Sequence, residues 1–350
     1  MSPKILITIG SGSYFSSQLS LLSFDFDKEQ FDIVHSQVNN IYSESTKGFL
    51  GLAKCPLGYV ITSEAQIHIL SKNLSNSQSF TYEFFNDVHY THWSDNHNKY
   101  FVTNTGLDTI EVFDKDMRLD KTIHLLQIND LYRILAQTAS GIRKKIYSKN
   151  RRNIDNHTLE DMRYKNLSKK INYPGLQKYF LPALFRAKKI DFRYAFMRPH
   201  VVHPNYICEI DNDILVTLKN PGEVRSILNK KVLLTGLKGP HDGCLRQNSF
   251  LLTESGSGML SWADNIHKSV DLLSAKFRRI QICDPKEGFV RGVDLISGEY
   301  LIVAVSKRRE INDQKPAWLA LVNKKTGSIE NKYEIPYEFG TNPFSVLKLT

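Results

Sequence analysis

Three histidines and one arginine share a setting. His89 follows Asp87-Val88, His203 precedes Pro204-Asn205, His241 precedes Asp242-Gly243 and Arg291 precedes Gly292. Each opens a short apolar run rich in β-branched and aromatic residues. Brought to one point, these groups could do two kinds of chemistry. Neutral imidazoles of His89, His203 and His241 could ligate a zinc or iron ion, with nearby Asp or Asn side chains fixing the ring tautomers, and calcium is a further candidate divalent metal. Alternatively, a histidine acts as general base while the planar fork of Arg291 holds the carboxylate or phosphate of a small substrate. His89, His203, His241 and Arg291 are therefore the catalytic candidates. Asp87, His92, His200, Asn205 and Asp242, their neighbours in sequence, are the candidate ligand-binding residues. His35, His68, His97, His124, His157 and His267 have no such setting and read as surface or core residues.

Convergence of four positions so far apart requires a repeating scaffold, and a repeat is present. Its unit is a polar anchor, a short strand, a turn, a strand ending in Thr or Ser, another turn and a third apolar strand. One copy runs Asp87-Val-His89-Tyr-Thr-His-Trp93, then Lys99-Tyr-Phe-Val-Thr103, then Thr109-Ile-Glu-Val-Phe113. Another runs from His203 through Asp213-Ile-Leu-Val-Thr217, a third from His241 through Ser249-Phe-Leu-Leu-Thr253, and a fourth from Arg291 through Tyr300-Leu-Ile-Val-Ala-Val305. Looser copies begin at Lys4 and Gly48. Anchors lie about 41 residues apart from Gly48 to His89, about 38 from His203 to His241 and about 50 from His241 to Arg291, the period of four-stranded blades. These features predict an all-β, six-bladed β-propeller, with five or seven blades also compatible with the spacing. The innermost strands of its blades would direct the anchors at one axis. Asn342–Leu349 is a candidate for the strand that closes the ring and removes its exposed edges.

Between His89 and His203 the period breaks. Apolar residues at Leu125, Leu126, Ile128, Leu131, Tyr132, Ile134 and Leu135 follow helical spacing, and the stretch from Arg118 to Arg198 holds about 19 Lys or Arg against about 6 Asp or Glu, a net of roughly +13. The whole chain carries +10, so the rest is slightly acidic. The expected organisation is thus one domain: blades 1–3 over residues 1–117, a basic, partly helical insertion over 118–198, and blades 4–6 with ring closure over 199–350. The basic run within 141–170, including Arg143-Lys-Lys145, suits a protein or an anionic membrane surface, and less well a nucleic acid, since it is not a readout motif.

With 41% hydrophobic and 11% aromatic residues, the chain can bury a sizeable core. No apolar run approaches a membrane span, and the N-terminal Lys4-Ile-Leu-Ile-Thr8 is too short for a signal-peptide core. The four cysteines, Cys55, Cys208, Cys244 and Cys283, are widely spaced and read as reduced, mostly buried thiols. A cytoplasmic location is expected. No GxSxG elbow or HExxH pair occurs, and Gly10-Ser-Gly-Ser lacks the third glycine of a dinucleotide loop.

At Asp87-Val-His89, Thr103-Asn-Thr-Gly-Leu-Asp108, His203-Pro-Asn205, Gly239-Pro-His-Asp-Gly243 and Arg291-Gly292, the chain resembles a family of bacterial six-bladed propellers of uncharacterised function. The resemblance covers most of the chain outside the basic segment. Tyr90 stands where that pattern often has a second His. More broadly the chain is similar to lactonase, amidating-lyase and strictosidine-synthase-like propellers, many of which place a metal or substrate on the axis. What this implies is an axial site, with the reaction left open. Two functions follow as expectations. The first is an axial His/Arg site for a small anionic ligand or a metal, as in a metal-assisted lyase or hydrolase. The second is a non-catalytic scaffold that binds a partner through its basic insertion.

Overall fold

The computed structural model describes residues 3–10, 18–38, 47–75, 77–126, 201–307 and 316–349. The structure contains β1–β3 (Lys4–Gly10, Gln18–Asp25, Gln30–Val38), β4–β7 (Leu52–Cys55, Gly58–Ser63, Gln66–Ser71, Ser77–Phe80) and β8–β11 (Val88–Ser94, Lys99–Asn104, Thr109–Phe113, Leu119–His124). It continues with β12–β15 (Pro204–Ile210, Asp213–Leu218, Glu223–Ser226, Val232–Leu234), β16–β19 (Cys244–Arg246, Ser249–Glu254, Met259–Ala263, Arg278–Gln281), β20–β23 (Gly288–Leu295, Tyr300–Lys307, Trp318–Asn323, Ser328–Glu334) and β24 (Asn342–Lys348). They form six antiparallel four-stranded sheets, so the chain is a six-bladed β-propeller.

Five blades are consecutive meanders. The remaining one, the first blade, is shared: β24 pairs with β1, giving the order β24-β1-β2-β3. The C-terminal strand therefore supplies the innermost strand of the first blade, and β24, β4, β8, β12, β16 and β20 pack successively around the axis. Closure leaves no sheet edge at the seam, where an open ring would present unpaired N–H and C=O groups.

A Thr or Ser at or just past the end of each second strand has a physical role. Thr8 Oγ1 donates to the Leu50 carbonyl (2.6 Å), Thr62 Oγ1 to that of His89 (2.8 Å), Thr105 Oγ1 to that of Pro204 (2.5 Å), and Thr217 Oγ1 to that of Asp242 (3.4 Å). Ser255 Oγ donates to the Val290 carbonyl (2.9 Å) and Ser306 Oγ to that of Pro343 (2.5 Å). Each bond ties one blade to the inner strand of the next. All six hydroxyl-bearing residues are buried, so losing one would leave a carbonyl unsatisfied away from water. The repeat thus encodes both the blades and the joints between them.

Apolar residues of the inner three strands of the blades fill the space between sheets. Trp262, Tyr100, Phe24, Phe49, Phe85, Phe113 and Phe250 are its largest fully buried side chains. One continuous cluster runs from Ala53 in the second blade to Val322 in the sixth, and two smaller ones pack the first blade against its neighbours.

The third blade extends further than the sequence suggested. Leu119–His124 is its outermost strand, registered with Thr109–Phe113 from Thr109↔His124 to Phe113↔Leu119. The propeller therefore includes the start of the stretch assigned to the insertion at 118. The helical spacing beyond Leu126, the basic run of 141–170 and the rest of the expected insertion through 198 lie outside the described residues. Among the described residues, no helix is long and apolar enough to cross a membrane.

Candidate functional site

The anchors converge. His89 sits near the start of β8, His203 and His241 just before β12 and β16, and Arg291 within β20, so four adjacent blades present them at one end of the axis. The His89 and His203 rings meet edge to face with centroids 5.3 Å apart, and the His89 and His241 rings lie 6.3 Å apart. The His241 ring is 6.3 Å from the ring of Phe344 on the closing strand, and the Arg291 guanidinium stacks over Phe344 at 4.7 Å and Phe289 at 5.1 Å. Stacking of this kind holds the guanidinium plane in place over the two rings.

Local backbone geometry explains how these residues arrive there. His203, with φ 53°, turns the chain into β12, while Gly292, with φ 65°, sits at a bulge inside β20 next to Arg291. The left-handed turn at His203 is held by Asp108, whose carboxylate accepts the backbone N–H groups of Val201 (2.7 Å), Val202 (3.0 Å) and His203 (2.8 Å). Asp108 itself follows the short 3₁₀ turn Thr105–Leu107. The Thr-Asn-Thr-Gly-Leu-Asp segment of the repeat thus positions the histidine of the next blade.

His89 is fixed from two sides. Its Nδ1 lies 2.9 Å from Asn205 Oδ1, while Asn205 Nδ2 donates to the Pro240 carbonyl (3.0 Å). That second bond sets the amide orientation, so His89 Nδ1 carries the proton. Its Nε2 faces Asp87 Oδ1 at 3.4 Å, and Asp87 also pairs with Lys47 Nζ at 2.7 Å. Lys47 contacts Glu64 Oε1 at 3.2 Å as well.

His241 is different. It is 8% exposed, and neither ring nitrogen has a hydrogen-bond partner; the Asp242 carboxylate stands 3.7 Å from Nδ1. Burial pushes the imidazole down to about 4, the attraction of Asp242 opposes this, and the nearby charges of Arg291 and His89 reinforce it. His241 is therefore a neutral, buried ring with unspent hydrogen-bonding capacity beside a guanidinium.

The other expected ligand-binding residues divide. Asp87 and Asn205 orient His89 as described. Asp242 acts as a joint: Oδ2 accepts Gly292 N (2.9 Å) and the Thr253 hydroxyl, linking the fifth blade to the sixth. His92 lies towards the other end of β8, with Nε2 3.8 Å from Glu209, and does not join the cluster. His200 is outside the described residues. Phe344 was missed because it belongs to the closing strand, which lacks the polar anchor that marks the other blades.

The expected metal set of His89, His203 and His241 does not stand out as a ligand cluster. Among the described residues, no group of three or more His, Cys, Asp or Glu side chains could hold a metal ion. His89 has Nδ1 committed to Asn205 and Nε2 facing Asp87.

No protein-family model matches the chain, and no curated protein matches it. Solved structures do. A protein of unknown function from Bacteroides caccae superposes with a TM-score of 0.57 at 12% identity, covering 99% of each chain. A chain of the nidogen/laminin complex gives a TM-score of 0.54 at 9% identity over 99% of this chain and 98% of that one. A Lactobacillus plantarum protein gives 0.50 at 10% identity over the full length of both. These similarities are of fold. They agree with the expected resemblance to bacterial propellers and leave the chemistry to the chain's own residues.

Proposed function

We propose that the axial end formed by His89, His203, His241 and Arg291 binds a small anionic molecule and exchanges a proton with it. The observation that carries this reading is His241: a buried ring with both nitrogens unpartnered, next to a guanidinium stacked on Phe344. An isolated protein gains nothing from such a ring, because unsatisfied buried nitrogens cost about 1–3 kcal/mol. A ligand that bonds to it recovers that cost. Arg291 holds the carboxylate or phosphate, and His241 accepts a proton from the adjacent carbon or oxygen. His89, braced by Asn205 and Asp87, fixes the wall of the pocket. Proton abstraction next to an anionic group is the opening step of a lyase or hydrolase reaction.

An anion also favours imidazolium over imidazole, so binding draws the His241 proton equilibrium upward from about 4. Oxalate tests this as a planar carboxylate probe, with the His241 ring Cε1–H resonance as the local readout. The expected result is a saturable shift, affinity that tightens as pH falls from 8 to 5, and at least about tenfold weaker binding in Arg291→Gln. An unmoved His241 resonance at about 10 mM oxalate, or equal affinity in Arg291→Gln, refutes the reading and leaves the scaffold function in its place.

A further inference from the structure

The inner strands carry a second group of cations at their far ends. There a cavity of about 1520 Å³ opens between the ends of β4, β8, β16, β20 and β24, lined among others by Lys54, Trp93, Arg246, Asp294, Tyr300 and Lys348. Tyr90, the residue after His89, lies in its floor, so the two ends are served by the same strands.

Asp294 sits at the centre of this group and is already satisfied. Its Oδ1 accepts Arg246 Nε (2.6 Å) and Leu295 N (2.9 Å), and its Oδ2 accepts Lys348 N (2.7 Å). Arg246 also donates through Nη1 to the Leu245 carbonyl (3.0 Å). Among the described residues, neither the Lys54 nor the Lys348 ammonium is held by a carboxylate. Three cations therefore surround Asp294, and the whole lining carries five Lys or Arg against four Asp, a net of +1. Other acids of the lining are engaged nearby: Asp25 pairs with Lys4 at 2.9 Å, and Asp95 accepts the Trp93 indole N–H at 2.7 Å. Burial and the repulsion of Arg246 and Lys348 push the Lys54 ammonium below its ordinary value, against the pull of Asp294. Crowded like charges in a concave, partly desolvated site favour an anion as their missing partner.

We propose that this mouth is a second ligand site, in which Lys54, Lys348 and Arg246 take a small dianion, a phosphate monoester or a dicarboxylate, whose carbon skeleton lies against Trp93 and Tyr300. It is independent of the His/Arg end, since it shares none of its side chains.

Inorganic phosphate at pH 8 and malonate serve as separate probes at low ionic strength, read through the Trp93 indole N–H resonance. At least one should shift that resonance saturably, and the stronger of the two identifies the anionic group. Lys54→Gln/Lys348→Gln should weaken this binding at least about tenfold. Both lysines are at the surface, so the variant should keep the fold, and an unchanged amide spectrum verifies it. His241→Leu should leave the Trp93 titration intact, which separates this site from the axial one. The proposal is overturned if neither probe moves the Trp93 resonance by about 10 mM, if the double variant binds as tightly as the wild type, or if His241→Leu abolishes the shift.

Discussion

Replacing His241 with leucine should stabilise the protein, and the gain should depend on pH in a defined way. In the folded chain the imidazole titrates at about 4, against an ordinary value of 6.5. The unfolded chain is therefore the first to take up a proton as pH falls. This group contributes no destabilisation above about 6.5, a growing one below it, and its full effect below about 4. At about 1.4 kcal/mol per pKa unit the gap amounts to about 3 kcal/mol, undiminished by solvent screening because the ring is 8% exposed. Leucine also removes two buried nitrogens without partners, which adds about 1–3 kcal/mol at any pH. Denaturant unfolding of both proteins between pH 8 and 4 gives the comparison. His68, buried and pushed down to about 3 chiefly by desolvation, loses stability over the same acid range, but does so in both proteins and cancels in the difference. The variant should be the more stable at pH 7, and its advantage should widen by about 3 kcal/mol on going to pH 4. Parallel curves over that range, or a variant less stable at pH 7, would mean that His241 is a satisfied core residue and that its burial serves packing.

Two further substitutions probe the elements behind the site. Asp108→Ala removes the acceptor of three backbone N–H groups at Val201, Val202 and His203. It should cost about 3–5 kcal/mol in equilibrium unfolding and broaden the His203 ring resonances, which a loss of stability alone would not do below the transition. Gly106→Ala places a Cβ 1.9 Å from Asn86 Oδ1 and 2.6 Å from the Asn86 carbonyl. Because backbone as well as side chain must move, a loss of at least about 2 kcal/mol is expected, and a thermal melt unchanged from wild type would contradict the packing described for this turn.

The ring and the axial cluster were legible because a repeat maps equal sequence positions to equal radii. The anchors His89, His203, His241 and Arg291 needed no local motif to be found. Residues that act through register were not legible. Lys54, Arg246 and Lys348 share no spacing and meet only because β4, β16 and β24 end at the same height. Asp242 looked like a ligand but is a joint between blades, a distinction that depends on where Gly292 N points. The end of the third blade was hidden because Leu119-Asp-Lys-Thr-Ile-His124 is mostly solvent-exposed, and an outer strand with one packed face carries little apolar signal. His92 was included for its nearness to His89 in sequence, but three residues further along β8 its ring stands by Glu209 instead.

Closure of the ring by β24 has a consequence for the order in which the protein forms. Ser345 N donates to Thr8 Oγ1 across 337 residues of chain, so β1 emerges from the ribosome long before its inner partner exists. During synthesis its edge is open to other strands, and only when β24 inserts does the protein gain both its last ladder and Phe344 beneath Arg291. Long-range pairing of this kind is slow to form. A nascent or C-terminally nicked chain can thus hold five blades and still lack the aromatic platform of the axial site, which makes completion of the site a report on completion of the fold.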